Sequence, residues 1–223
     1  MATDAPMATH TDADLLTLAQ WLSPAFPVGA YSYSHGLEAA VQNGSVSDAA
    51  SLAAWIETVL RFGSGRSDAL FLAAAFNAGT SARLWDVDAT CRAFAPSKER
   101  LRETTLQGAA FCTAVSSIWG FDVADLSYPV AVGWAARLQS VPQRPAAQFY
   151  LHAFLTNLVG AGMRMSVVGQ TEGQMVIRDL TPDCIEIADA TSSGDLEELS
   201  GTAFLSDIAS MQHETQYSRI FRT

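Results

Sequence analysis

The sequence predicts an all-α fold, a single-domain bundle of about nine or ten helices joined by short connections. Three observations carry this. Apolar residues recur at helical spacing along most of the chain, while alternating β-branched runs are nearly absent. Helix caps, prolines and glycines punctuate that pattern at short intervals. Composition supplies the core, with 49% hydrophobic residues against 16% charged in a chain of 223.

The elements follow in order. Residues 1–14 are polar and acidic, without the basic and apolar regions of a signal peptide, and read as a mobile arm. The helical domain spans 15–211 and opens with Leu15, Leu16, Leu18, Trp21 and Leu22 at helical spacing. Ser23 to Glu38 then interrupts the pattern with Pro24, Pro27 and Gly29. Pro27 fixes its own backbone and biases Phe26 away from helix. Ser45 to Asp48 resembles a capping box, ahead of a helix with Leu52, Trp55, Ile56, Val59 and Phe62 on one face. Gly63 to Gly65 ends it, and Ser67 and Asp68 open another that closes at Gly79.

A shorter helix runs from Leu84 to Phe94. Ser97 caps a long one reaching Trp119, with Lys98, Glu99, Arg100, Arg102 and Glu103 as its charged outer face. Gly120 and Asp122 break the chain, and Tyr128 to Leu138 follows with Pro129 suited to a first turn. Ala146 to Val168 is long and apolar, but His152, Asn157 and Arg164 interrupt it. It therefore reads as a buried central helix opened by Pro145, not as a membrane span. Gly169 to Gln174 reads as a turn, Met175 to Leu180 as a helix, and Pro182 as a kink or a new turn running to Asp189. A polar loop leads to the last amphipathic helix, carrying Phe204, Leu205, Ile208 and Met211. Residues 212–223 form a tail.

Composition also narrows the function. A net charge of −10 disfavours nucleic acid, which needs clustered Lys and Arg. The one lysine, Lys98, follows Pro96-Ser97 and not a glycine-rich turn, so no P-loop exists. Cys91, Cys112 and Cys184 form no C-x-x-C and read as buried free thiols in a reducing compartment. His213-Glu214 begins like H-E-x-x-H, but Tyr217 stands where the second histidine belongs. His35 and Glu38 are three apart and supply at most two ligands of a weak site; alternatively His35 hydrogen-bonds within its loop. Neither G-x-S-x-G nor G-x-G-x-x-G occurs. No catalytic, cofactor or metal site is predicted.

Three regions carry residues beyond what a core needs. Phe26, Tyr31 and Tyr33 sit on the rigid segment between Ser23 and Glu38. Gln170 and Gln174 flank a glycine-bearing turn and offer amide donors and acceptors. The tail combines Tyr217, Ile220 and Phe221 with Arg219 and Arg222, residue types that anchor interfaces. It either packs on its own domain or orders when a partner binds.

Together these segments resemble the urease accessory protein UreF family over nearly the whole chain. The likeness is carried by Ser23-Pro24-Ala25-Phe26-Pro27-Val28-Gly29, by Tyr31-Ser32-Tyr33-Ser34-His35-Gly36-Leu37-Glu38, by Gly169 to Gln174, and by Asp207 to Arg222. Ala30 departs from the family's usual second glycine, and Ser127-Tyr128 from a common histidine-containing pair. The resemblance implies a cytoplasmic, homodimeric, non-catalytic scaffold. It would join UreD (also called UreH) and the GTPase UreG to apo-urease for GTP-dependent nickel insertion. Partner contacts carried over by resemblance are Pro24, Phe26, Pro27, Gly29, Tyr31, Ser32, His35, Glu38, Gln170, Gln174, His213, Glu214, Gln216, Tyr217, Arg219, Phe221 and Arg222, with Gln170 and Gln174 as candidates for lining a metal passage. The competing reading is a helical metal carrier that binds nickel directly through His35, Glu38 and His213.

Overall fold

A computed structural model describes residues 10–122 and 125–222. Residues 1–9 of the expected arm lie outside the described residues. Ten α-helices and no strand are present among the described residues, in agreement with the all-α expectation. They are α1 (Asp12–Trp21), α2 (Leu37–Gln42), α3 (Ala49–Phe62), α4 (Ser64–Asn77), α5 (Ser81–Ala93), α6 (Lys98–Trp119), α7 (Tyr128–Leu138), α8 (Gln143–Arg164), α9 (Gln170–Ala190) and α10 (Phe204–His213). No helix among them is long and apolar enough to cross a membrane.

Local chemistry sets most ends. Thr11 and Asp14 make a reciprocal capping box, so α1 starts inside the stretch assigned to the arm. Asp48 and Ser51 do the same for α3, which moves its start past the Ser45 expected to cap it. Ser97 caps α6 by accepting the Arg100 N–H, and Gly120 stops it in the left-handed conformation. The α3–α4 break is Gly63 alone, because Gly65 lies inside α4 against the Leu60 backbone.

One further expectation fails at α9, and of the two readings of Pro182 the new turn is excluded. Gly169 to Gln174 is not a turn, since Gln170 to Gln174 are its first residues, and the helix continues through Pro182 to Ala190. Beyond the proline, Asp183 is held by Arg61 of α3 at 2.5 Å.

Helix α4 lies at the centre, buried along most of its length from Gly65 to Ala75 and packed by α7, α3, α8 and α5. α9 lies on α8 and α3, and α10 crosses α2 and α6. Under the chain's first turns, Trp21 meets Phe111 and Trp119 edge-on, and Phe26 leans on Phe111. The proline-bearing segment is thus anchored by Phe26 while Pro24, Pro27 and Tyr31 stay exposed. The segment ends at Gly36, whose positive φ of 77° and contact with the α10 backbone at Ser210 exclude a side chain.

Candidate functional site

The face of α6 expected to meet solvent turns inward. Only Lys98 and Arg102 of that charged set are exposed; Glu99, Arg100 and Glu103 are buried, and Gln107 extends their row one turn further. Charges removed from water need partners. Those partners come from far along the chain, and they make two linked clusters on one helix.

The first cluster centres on Glu103. It lies 3.0 Å from His35 Nε2 and 2.5 Å from Arg100, and it accepts from Gln107 at 2.9 Å. Asp68 of α4 stands 3.6 Å from Arg100 and accepts the Tyr150 hydroxyl at 2.8 Å. Burial would raise the Glu103 carboxyl, but the Arg100 guanidinium outweighs it and holds the group down at about 2. Asp68 is farther from that charge, and burial pushes it up to about 6. Burial, helped by Arg100, also lowers the His35 pKa, so the imidazole is neutral. His35 holds a left-handed φ of 53°, a strained setting for a side chain of its size.

The second cluster fastens the tail. Glu38 accepts the backbone N–H groups of Ile220 (2.7 Å) and Phe221 (2.9 Å) and lies 3.1 Å from His213 Nε2. Glu99 lies 2.7 Å from His213 Nδ1 and accepts from Arg219 at 2.8 Å. Glu214 accepts the Lys98 N–H at the start of α6, and Gln216 closes a turn onto the Ser218 carbonyl. Phe221 is buried beneath Arg164, whose guanidinium sits 4.5 Å from the ring centre and also donates to the Tyr31 carbonyl. The Arg222 N–H bonds the Ser32 carbonyl at 2.8 Å. The tail therefore lies on its own domain here, the first of the two alternatives the sequence left open.

What remains outward is apolar. Phe204, Leu205, Ile208 and Met211 line the free face of α10, and Tyr217 and Ile220 continue it along the tail. Gln170 and Gln174 are exposed in the first turns of α9 and line neither of two cavities inside the bundle. The larger cavity, about 580 Å³, lies between α8, α6 and the proline-bearing segment. The smaller, about 260 Å³, lies near α5 and the loop before α10. Asp68, Arg100 and Thr104 line both.

His35, Glu38 and His213 do not converge on one point. His35 turns to Glu103, whereas Glu38 and His213 bind each other. Among the described residues no group of three or more His, Cys, Asp or Glu side chains is arranged to hold a metal ion. Sequence reasoning missed Asp68, Glu99, Arg100, Glu103 and Tyr150 as members of a site. The available signal was the row of polar residues at 99, 103 and 107, one helix turn apart on a helix that otherwise packs inward.

These features define an all-helical protein that clamps its own C-terminus through buried carboxylates and presents an apolar face beside it. A family model described as UreF matches residues 46–181. A urease accessory protein UreF of Ruegeria pomeroyi is 54% identical over 97% of this chain and 100% of its own length. Counterparts of the same description are 49% identical in Roseobacter denitrificans (96% of this chain, 95% of the relative) and 43% in Rhodopseudomonas palustris (100% and 99%). The chain belongs to the UreF family of urease accessory proteins, and so takes part in urease maturation.

Proposed function

We propose that this chain is a non-catalytic scaffold that joins UreD (UreH) and the GTPase UreG to apo-urease, so that nickel is inserted at the expense of GTP. One observation carries the reading: α10 exposes Phe204, Leu205, Ile208 and Met211, and the tail after it, fixed by Glu38, His213 and Glu99, exposes Tyr217 and Ile220. Exposed Tyr217, Ile220 and Met211 beside Arg219 and Arg222 have the composition of an interface centre. Fixing the tail beforehand lowers the ordering cost when a partner docks. Exposed Tyr31, Pro24 and Pro27 extend the contact surface onto the proline-bearing segment. A homodimer working in the cytoplasm completes the proposal. Nickel is cargo here, passed on by the assembly.

The metal-carrier alternative through His35, Glu38 and His213 has less support. Both ring nitrogens of His213 face carboxylates within hydrogen-bond distance, and Glu38 already accepts two backbone N–H groups. For a metal passage the cavities flanking Asp68 and Arg100 are better placed than Gln170 and Gln174.

The test is co-purification with UreD and UreG. His213 is buried, so the cut belongs after Glu214, leaving the histidine between its carboxylates. The full chain should capture UreD; the shortened chain should lose capture while its circular dichroism stays helical. Undiminished capture by the shortened chain would remove the tail from the interface. Tight stoichiometric nickel binding by the isolated protein would favour the carrier.

A further inference from the structure

Phe204, Asp207, Ile208 and Met211 follow one another at helical spacing and share one stripe of α10. Three of the four are exposed and apolar. Asp207 is half-buried at the edge of that stripe, and among the described residues its carboxylate makes no hydrogen bond and no ion pair. Burial raises the Asp207 carboxyl above its ordinary range, and the Arg100 guanidinium only partly offsets this. Arg100 is already committed elsewhere, 2.5 Å from Glu103 and 3.6 Å from Asp68.

Asp207 also lines the smaller cavity, together with exposed Ser200 and Gly201 and half-buried Phe94 and Pro96. Its volume of about 260 Å³ lies below the range of small-molecule pockets and suits a single long side chain. Two carboxylates, Asp207 and Asp68, stand in its lining against one guanidinium, Arg100. Docking on α10 then makes a demand. A partner that covers Phe204, Ile208 and Met211 takes Asp207 further out of water. A carboxylate buried without a partner is strongly unfavourable, so the covering surface must bring a cation to this point. A guanidinium answers best, because its fork matches a carboxylate, its plane stacks on an aromatic ring such as Phe94, and it gives up water more readily than an ammonium.

We propose that Asp207 is the charge-recognition point of the α10 face, and that it receives an arginine side chain of the docking partner, seated in the smaller cavity beside Phe94. The partner surface is thereby defined as a basic residue set among apolar ones. The inference rests on the reading of α10 as a docking surface and adds the chemistry that the partner must present there. The apolar stripe supplies contact area, and Asp207 rejects surfaces that are apolar or acidic at this point.

The affinity of the full-length chain for UreD, measured by biolayer interferometry at fixed salt, tests this. Asp207→Asn should weaken binding by roughly tenfold or more. Ile208→Glu, on the exposed stripe, should weaken it as well. The isolated Asp207→Asn protein should keep a urea midpoint at or above that of the wild type, because the carboxylate has no partner within the chain. Among UreD arginines replaced singly by alanine, one should lose its effect in the Asp207→Asn background. Weakening by Ile208→Glu but not by Asp207→Asn would overturn the inference and leave α10 as the docking face. Weakening by neither would remove α10 from the interface, and the inference with it. A clearly lower urea midpoint for Asp207→Asn would overturn it by giving the acid a structural role, and so would the absence of any coupled arginine.

Discussion

Asp68 and Glu103 share a guanidinium, yet they lie on opposite sides of the ordinary carboxyl range, Glu103 held down by Arg100 and Asp68 raised by burial. Asp68 is pushed up to about 6 by burial, which its distance of 3.6 Å from Arg100 does not offset. The folded protein thus holds the Asp68 proton more tightly than the unfolded chain does. The contribution of Asp68 to stability is full below the unfolded pKa of 3.8 and is lost as pH rises through 6. Between about pH 4.5 and about pH 7 the loss is about 2 kcal/mol. Glu103, held at about 2, stays ionised across that window in the folded state. Asp68→Asn should remove this part of the slope, read as the difference between the two chains in urea unfolding at the two pH values. Parallel slopes would mean that Asp68 does not titrate there. None of this was legible in the sequence, because each partnership spans a long stretch: His35 with Glu103, Asp68 with Tyr150, Glu38 with His213. Glu99, Arg100 and Glu103 looked like a solvated face, which is where such residues ordinarily lie.

Helices were readable wherever their ends depend on neighbours in the chain. Ser97, Gly120 and the span Tyr128–Leu138 stand where caps and prolines put them. The misreadings came from residues whose reason is tertiary. Gly173 looked like a turn former, but it sits inside α9 with Met163 and Val159 packed against it. Gly65 is likewise a packing residue, pressed on Leu60. Pro182 gives up one helix bond, and packing of α9 on α8 and α3 outweighs that loss. Glycines inside helices therefore divide into two kinds, and two substitutions separate them. Gly133 of α7 faces the α4 backbone, where an added Cβ would stand 2.2 Å from the Leu72 carbonyl oxygen. Gly133→Ala must part the two helices, and should cost about 3 kcal/mol in denaturant unfolding. Gly160→Ala meets open space and should instead stabilise by up to about 1 kcal/mol. A shift of the same sign in both would show that the α4–α7 contact is not as tight as its geometry requires.

For the whole molecule, the bundle, its proline-bearing segment and its tail form one connected object. The proline-bearing segment, α2, α6, α10 and the tail meet at Glu38 and Glu99, so the last residues are tied to the first helices. Sequence composition marked the tail as an interface but left two states open, because arginines and aromatics suit a partner's surface as well as the chain's own. Backbone amides give the means to tell those states apart. Ile220 and Phe221 both give their N–H to the Glu38 carboxylate, and Phe221 is buried under Arg164. Tyr217, by contrast, stands fully exposed. If the free protein keeps this arrangement, an opening free energy of about 2 kcal/mol slows exchange of both amides by roughly thirtyfold relative to an open chain. Tyr217 should exchange at nearly the open-chain rate. Hydrogen exchange by NMR on the isolated protein measures all three. Glu38→Gln weakens the acceptor, and should speed Ile220 and Phe221 together without changing Tyr217. Unprotected Ile220 and Phe221 amides in the wild type would return the tail to the other state, ordered only when UreD arrives.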